Sequence, residues 1–182
     1  ENKIVITTDA VLSIGKACAL QFADNGATVV VADTNLGNAQ KVVDEFARLR
    51  SGNATNQGKV LSIKVNVTKY SAVEKLIQQT VSTFGKLDIM VNNAGIGPSY
   101  LKTHEATMRD WNRVISVNQT GASYGIKLAL QQFVQQGYGN IVNMASLAGL
   151  KAYPNNISYS VSKFAVVAMT KSAALEYADY NI

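Results

Sequence analysis

Lys3-Ile4-Val5-Ile6-Thr7-Thr8 and Thr28-Val29-Val30-Val31-Ala32-Asp33 bracket a helical pattern, Ser13 to Asn25, that stops before Gly26. The outer runs are short, continuously apolar and rich in β-branched residues. Continuous rather than alternating apolar character means that both faces of a strand are covered, as in parallel sheets. Strand, helix and strand within about thirty residues is the size of one right-handed crossover unit.

Outward from this unit the alternation continues. A helix is expected from Leu36 to Arg50, a strand from Val60 to Val67, a helix from Tyr70 to Phe84 stopped by Gly85, and a strand from Leu87 to Asn92. Two helical stretches follow, Thr103 to Val117 and Asn118 to Gln136, then a strand from Asn140 to Ala145 and a last helix from Ile157 to Ala178. Ser51 to Gly58 reads as a surface loop, too short to separate domains. The pattern predicts a single α/β domain over residues 1–182, a Rossmann-type doubly wound parallel sheet in three α/β/α layers.

Composition narrows the function. A chain of 182 residues, 47% apolar and 16% charged, fills one core and is not disordered. One cysteine, Cys18, and one histidine, His104, exclude a disulfide framework and a His/Cys zinc site, so no metal is expected. The net charge is +5, but basic residues such as Lys59, Lys64, Lys69, Lys75 and Lys86 stand singly. Without a basic stripe interleaved with aromatics, no nucleic-acid partner is expected. No stretch has the apolar length to cross a bilayer and no signal segment opens the chain, so the expected compartment is the cytoplasm, with no membrane partner. The start at Glu1 and the stop at Ile182, straight after a helical pattern, read as a fragment of a longer protein.

Ligands of doubly wound sheets bind beyond the carboxyl ends of the strands. The first strand runs into Thr8-Asp9-Ala10-Val11-Leu12-Ser13-Ile14-Gly15, where the amides of Ser13, Ile14 and Gly15 open a helix suited to a pyrophosphate. Asp33 ends the second strand, placed to accept hydrogen bonds from an adenosine ribose and to repel a 2′-phosphate, which favours NAD(H) over NADP(H). Asp33 as a helix cap or plain turn residue is the competing reading. Strand four leads into Asn92-Asn93-Ala94-Gly95 and strand five into Ser146. Tyr159 and Lys163, four apart, share a face of the last helix. An ammonium beside a phenol favours the phenolate, which makes Tyr159 a candidate general acid/base. The competing readings are a backbone-satisfying Ser146, a helix-capping Asn118 and a surface Tyr159–Lys163 pair.

Taken together, Asn92-Asn93-Ala94-Gly95, Asn118 in Ser-Val-Asn-Gln-Thr-Gly, Ser146 thirteen residues before Tyr159, and Tyr159-Ser-Val-Ser-Lys163 make the chain resemble the classical short-chain dehydrogenases/reductases over essentially its whole length. The resemblance implies hydride transfer between NAD(H) and a small alcohol or carbonyl substrate. Tyr159 would be the acid/base, and Ser146 would hold the substrate oxygen beside it. Lys163 would favour the phenolate and bind the nicotinamide ribose. Asn118 would anchor a water behind Lys163. Ser13, Ile14, Gly15, Asp33, Asn66, Val67, Asn92, Ala94 and Gly95 would line the cofactor with Tyr159 and Lys163. A homodimer or homotetramer through the long helices is implied as well.

The chain departs from the family pattern at the glycine-rich turn, Thr-Gly-x-x-x-Gly-x-Gly, of which only Gly15 remains. Ser13 adds a hydroxyl that is free to cap the helix or meet phosphate. Asp9 sets a carboxylate near an anionic ligand. At roughly 7 Å and an effective dielectric of 20 this costs about 2 kcal/mol, some thirtyfold in affinity. Asn66 stands where the family usually has an acid facing the adenine amino group. The family's last strands and substrate lid are also missing from the pattern, which would leave strand five an unpaired edge. The functional readings are thus an NAD(H)-dependent oxidoreductase and, as the alternative, a non-catalytic binding or assembly module with a decayed cofactor turn.

Overall fold

The computed structural model describes residues 2–50 and 58–182, so the expected loop at Ser51 to Gly58 lies, Gly58 excepted, outside the described residues. Strands β1 (Ile4–Thr8), β2 (Thr28–Asp33), β3 (Lys59–Lys64), β4 (Ile89–Asn92) and β5 (Asn140–Asn143) form one sheet in the order β3-β2-β1-β4-β5. Every pairing is parallel. Helices α1 (Ser13–Asp24), α2 (Leu36–Arg50), α3 (Tyr70–Phe84), α4 (Met108–Ile115), α5 (Ala122–Gln136) and α6 (Ile157–Glu176) connect and cover the strands. The order reverses at β1, so β1 and β4 flank the crevice in which such sheets bind ligands.

Strand alternation distributes the core between two layers. Ile4, Ile6, Val30, Ala32 and Met90 face α3 and α5, where they meet Val73, Leu76, Leu128 and Phe133. Val5, Val29, Val31 and Val91 face α1 and α2, against Ala19, Ala23, Val42 and Phe46. Each large side chain among them contributes about 1.5–3 kcal/mol by leaving water. The doubly wound three-layer reading is the architecture observed.

Element ends depart from expectation for local reasons. β3 stops at Lys64 rather than Val67 because its partner ends first. Asp33 and Lys64 form the last pair of the ladder, and the Val65 N–H donates to the Asp33 carbonyl at 2.8 Å. α4 starts at Met108 rather than Thr103 because the Thr107 hydroxyl caps it, accepting from the Asp110 N–H at 3.1 Å. The expected break between Val117 and Asn118 is absent. α4 passes through a π turn at Ser116–Gly121 directly into α5, and Asn118 on that turn is 1% exposed. β4 begins at Ile89, β5 ends at Asn143, and α6 ends at Glu176, each shorter than its apolar run.

β5 is one edge of the sheet and β3 the other among the described residues, and Val142 on β5 is exposed. The chain end folds back to β5. The Gly139 N–H donates to the Asn181 carbonyl at 3.3 Å, and Ile182 lines a cavity of about 180 Å³ with Ile126, Leu130 and Ile141.

Candidate active site

The turn after β1 is stitched to its two neighbouring strands. The Thr8 hydroxyl accepts from the backbone N–H groups of Asn93 (3.0 Å) and Ala94 (3.1 Å). The Asn93 amide donates back to the carbonyls of Thr8 and Asp9, both at 3.0 Å. On the other side, the Asp9 N–H donates to the Ala32 carbonyl at 2.8 Å. Asp9 and Ser13 hold φ values of +51° and +49°, the left-handed region that glycine occupies freely and other residues reluctantly. The turn therefore keeps a glycine-like backbone without the glycines. At Gly15 no side chain fits, since a Cβ would strike the Asn93 side chain and the Asp9 carbonyl. α1 has no side-chain cap and no acidic residue in its first turn, so of the two readings of the Ser13 hydroxyl, a cap or a phosphate contact, the cap is not made. Its opening amides remain available to an anion.

Beside this turn, a cavity of about 240 Å³ lies across the ends of β2, β3 and β4, lined among others by Asp9, Asp33, Asn66, Val67, Ala94 and Gly95. Asp33 is 7% exposed. Its Oδ1 accepts from the Asn35 N–H at 2.7 Å, so it is a turn residue and a cavity residue at once. Asp9 is itself exposed, and it lines the mouth of the same cavity together with Asp33 and Gly95. The partial desolvation of its carboxyl at the cavity mouth, and then the neighbouring Asp33 carboxylate, push its pKa up to about 6. Asn66 Oδ1 accepts from both the N–H (3.0 Å) and the hydroxyl (2.8 Å) of Thr68, so its carbonyl is already engaged. Asn92 lies off the cavity. It donates to Asn143 at 2.8 Å, and Asn143 donates to Thr170 at 3.0 Å, a chain that joins β4, β5 and α6.

The other half of the site is built on α6. Lys163 is 4% exposed, and its Nζ donates to the Met144 carbonyl at 2.7 Å and lies 5.6 Å from the centre of the Tyr159 ring. Burial lowers the pKa of Lys163, and no carboxylate is paired with it among the described residues. Ser146 Oγ accepts from the Ala148 N–H at 3.1 Å and caps a short turn, which leaves its own proton to give. Asn118 Oδ1 accepts from the Ile96 N–H at 2.8 Å, while its amide donates to the Ile96 carbonyl (2.9 Å) and to Ser162 Oγ (3.2 Å). A Cβ on Gly95 would come within 3.4 Å of Lys163 Nζ, so the lysine bridges the two halves of the crevice.

The structure thus gathers Asp33, Asn66, Val67, Ala94 and Gly95 around one cavity, sets Ser13, Ile14 and Gly15 at the adjoining helix start, and joins Lys163 to Tyr159. Sequence reasoning passed over the Thr8 hydroxyl, the Asn93 amide and the Met144 carbonyl. The first two were visible as polar groups at strand ends. A backbone carbonyl leaves no trace in sequence.

The chain belongs to the short-chain dehydrogenase family, whose model matches residues 3–182. It is 40% identical over 181 residues to cyclohexanol dehydrogenase of Acinetobacter sp. strain SE19, covering 100% of this chain and 69% of that one. It is 36% identical over 182 residues to 3beta-hydroxysteroid dehydrogenase 2 of Eggerthella lenta, covering 100% and 67%. The fold is similar to the crystal structure of NAD+-bound xylitol dehydrogenase, with a TM-score of 0.91 and 34% identity over 99% of this chain and 66% of that one. The chain spans about two thirds of the length of these relatives. Both curated relatives are dehydrogenases, and nothing in the comparisons supports a non-catalytic module. No described helix is long and apolar enough to cross a membrane.

Proposed function

We propose that this chain carries the catalytic half of an NAD(H)-dependent oxidoreductase acting on a small alcohol or carbonyl compound. The observation that carries the reading is Lys163, a buried ammonium next to Tyr159 whose described polar partner is a single backbone carbonyl. A lone buried cation is expensive to keep unless its charge is used.

A nicotinamide dinucleotide, when bound, supplies the hydride acceptor or donor. The residues present fit such a group: α1 offers uncapped amides, Asp33 a carboxylate with spare lone pairs, and Lys163 two unspent N–H donors. Ser13, Ile14 and Gly15 would receive the diphosphate, Asp33 the adenosine ribose, and Asn66, Val67, Ala94 and Gly95 the adenosine moiety. Asp33 would repel a 2′-phosphate, which favours NAD(H) over NADP(H). Asn92 supports this wall through Asn143.

Tyr159 would take the proton of a substrate hydroxyl, or return it to a carbonyl oxygen. The Lys163 ammonium offsets the negative charge that forms on the Tyr159 oxygen as the proton leaves. Ser146 would donate a hydrogen bond from its hydroxyl to the substrate oxygen and steady its developing charge. Asn118, clamped to Ile96, would fix a water that carries the proton onward.

The outward faces of α5 and α6 leave a groove of about 930 Å³ lined in part by Ile126, Leu130, Val134, Met169 and Tyr177. We assign it to a second copy of the chain, in a homodimer or homotetramer. A single unpaired Cys18 suits the reducing cytoplasm.

The test is turnover. The protein is incubated with NAD+ and a panel of secondary alcohols beginning with cyclohexanol, and NADH is followed at 340 nm. Turnover that Tyr159→Phe lowers by about 10²–10⁴-fold supports the reading. Turnover untouched by that substitution contradicts it.

A further inference from the structure

Asp9 occupies a position where a side chain is least expected. It bends through the left-handed region and, although exposed, lines the mouth of the cavity assigned to the adenosine, which Asp33 from β2 and Gly95 from the β4 loop also line. Two carboxyl groups in one small cavity cannot both ionise without mutual repulsion and lost hydration. We propose that Asp9 makes nucleotide binding proton-linked: the anionic dinucleotide enters together with a proton held by the Asp9–Asp33 pair. The inference rests on the dinucleotide reading above and goes beyond it, because Asp9 becomes a residue that sets when the site accepts its ligand.

The surroundings leave Asp9 as the group that responds. Asp33 is fixed by the Asn35 N–H. Lys64 stands in register with Asp33 on β3 and is exposed. Lys16 on α1 is paired with Glu45 on α2. Lys163 on α6 approaches Gly95 but is held by Met144. The π turn contributes the uncharged Val117. With Asp9 protonated, the cavity presents one negative charge, and Asp33 can still accept from ribose hydroxyls. With both ionised, a diphosphate approaching the start of α1 meets a second negative charge at the turn. The pKa of Asp9, raised to about 6, puts the change in the range in which the protein can be assayed.

The sign follows from the raised value. Protonation of Asp9 stabilises the folded state fully below the ordinary value of 3.8, and this contribution is lost as pH rises through about 6. Thermal unfolding without nucleotide therefore reads the proton independently: between pH 5 and 7.5 the wild type loses melting temperature relative to Asp9→Asn.

The binding test is calorimetric titration with NAD+ at pH 5.5 and pH 8 on the wild type, Asp9→Asn and Asp9→Gly. The wild type is expected to bind about tenfold or more tightly at the lower pH, within the thirtyfold ceiling of one charge pair. Both variants are expected to bind alike at the two pH values. A wild-type affinity that is the same at both, or a pH dependence that persists in Asp9→Asn, overturns the proton linkage and leaves the dinucleotide reading standing. Binding by the variants but by the wild type at neither pH overturns the linkage too, since Asp9 then excludes the nucleotide regardless of the proton. Failure of all three proteins to bind overturns the dinucleotide reading and the inference with it.

Discussion

The Lys163 ammonium lies 5.6 Å from the centre of the Tyr159 ring, one helical turn away on α6. Its hydrogen bond to the Met144 carbonyl anchors the side chain across the crevice. Replacing it with Met deletes a costly buried charge but leaves that carbonyl without its donor, and the two effects oppose each other. Lys163→Met should unfold within about 4 °C of the wild type, yet lose about 10²–10⁴-fold in turnover. Thermal unfolding and steady-state assays on the same preparation check this. Parallel losses of stability and activity would assign Lys163 to the scaffold alone.

Ser13 holds φ +49° at the start of α1. An L-residue there costs roughly 1 kcal/mol that glycine avoids. Ser13→Gly is expected to raise the melting temperature by about 2–4 °C. Gly15→Ala should do the reverse, by about 1–3 kcal/mol, because its Cβ would strike Asn93 and the Asp9 carbonyl. Chemical denaturation of both variants measures the pair of effects.

Asn92 and Asn93 are adjacent in sequence and divided in task. Asn92 holds Asn143, whereas Asn93 binds the carbonyls of the cofactor turn. Asn93→Ala should weaken NADH binding by about tenfold, the worth of roughly 1.4 kcal/mol of lost preorganisation. Asn92→Ala should lower stability by about 1–3 kcal/mol through its unpaired partner, with a smaller effect on binding. Fluorescence titration and denaturation together separate the two.

The Asp88 side chain is 2% exposed beneath β1. Burial alone would raise its pKa, but the Ile4 N–H at 2.7 Å, with Lys86 and Lys3, holds the carboxyl below its usual range. A lowered value means stability that is present above about 3.8 and lost as pH falls through the folded-state value. Asp88→Asn should cost about 1–3 kcal/mol at pH 7, and the gap to the wild type should close under acid. Urea unfolding at pH 7 and near pH 3 checks both.

What the sequence disclosed follows from where the physics is local. β1 and β2 were legible because burial on both faces writes a continuous apolar run, and Gly85 closes α3 in the left-handed conformation that glycine favours. The end of β3 was not legible, because it is set by where β2 stops, a fact about the neighbour rather than about Val65 to Val67. The start of α4 carried a readable signal in Thr107 and Asp110, a capping residue with an acid three positions on. The π turn was hidden because it serves Asn118, whose partner Ile96 is 22 residues away in sequence. At the site, Asp33, Tyr159 and Lys163 stood out by type and spacing. That Thr68 already occupies the Asn66 carbonyl, and that Asp9 shares a cavity with Asp33, depends on rotamers and loop course that no spacing encodes.

Fluorescence titration of this chain with NADH and with NADPH at pH 6 bears most directly on the proposed function. Saturable NADH binding is expected, with NADPH about tenfold or more weaker because Asp33 faces the position of a 2′-phosphate. Tighter binding of NADPH, or no saturation by either nucleotide, would contradict it.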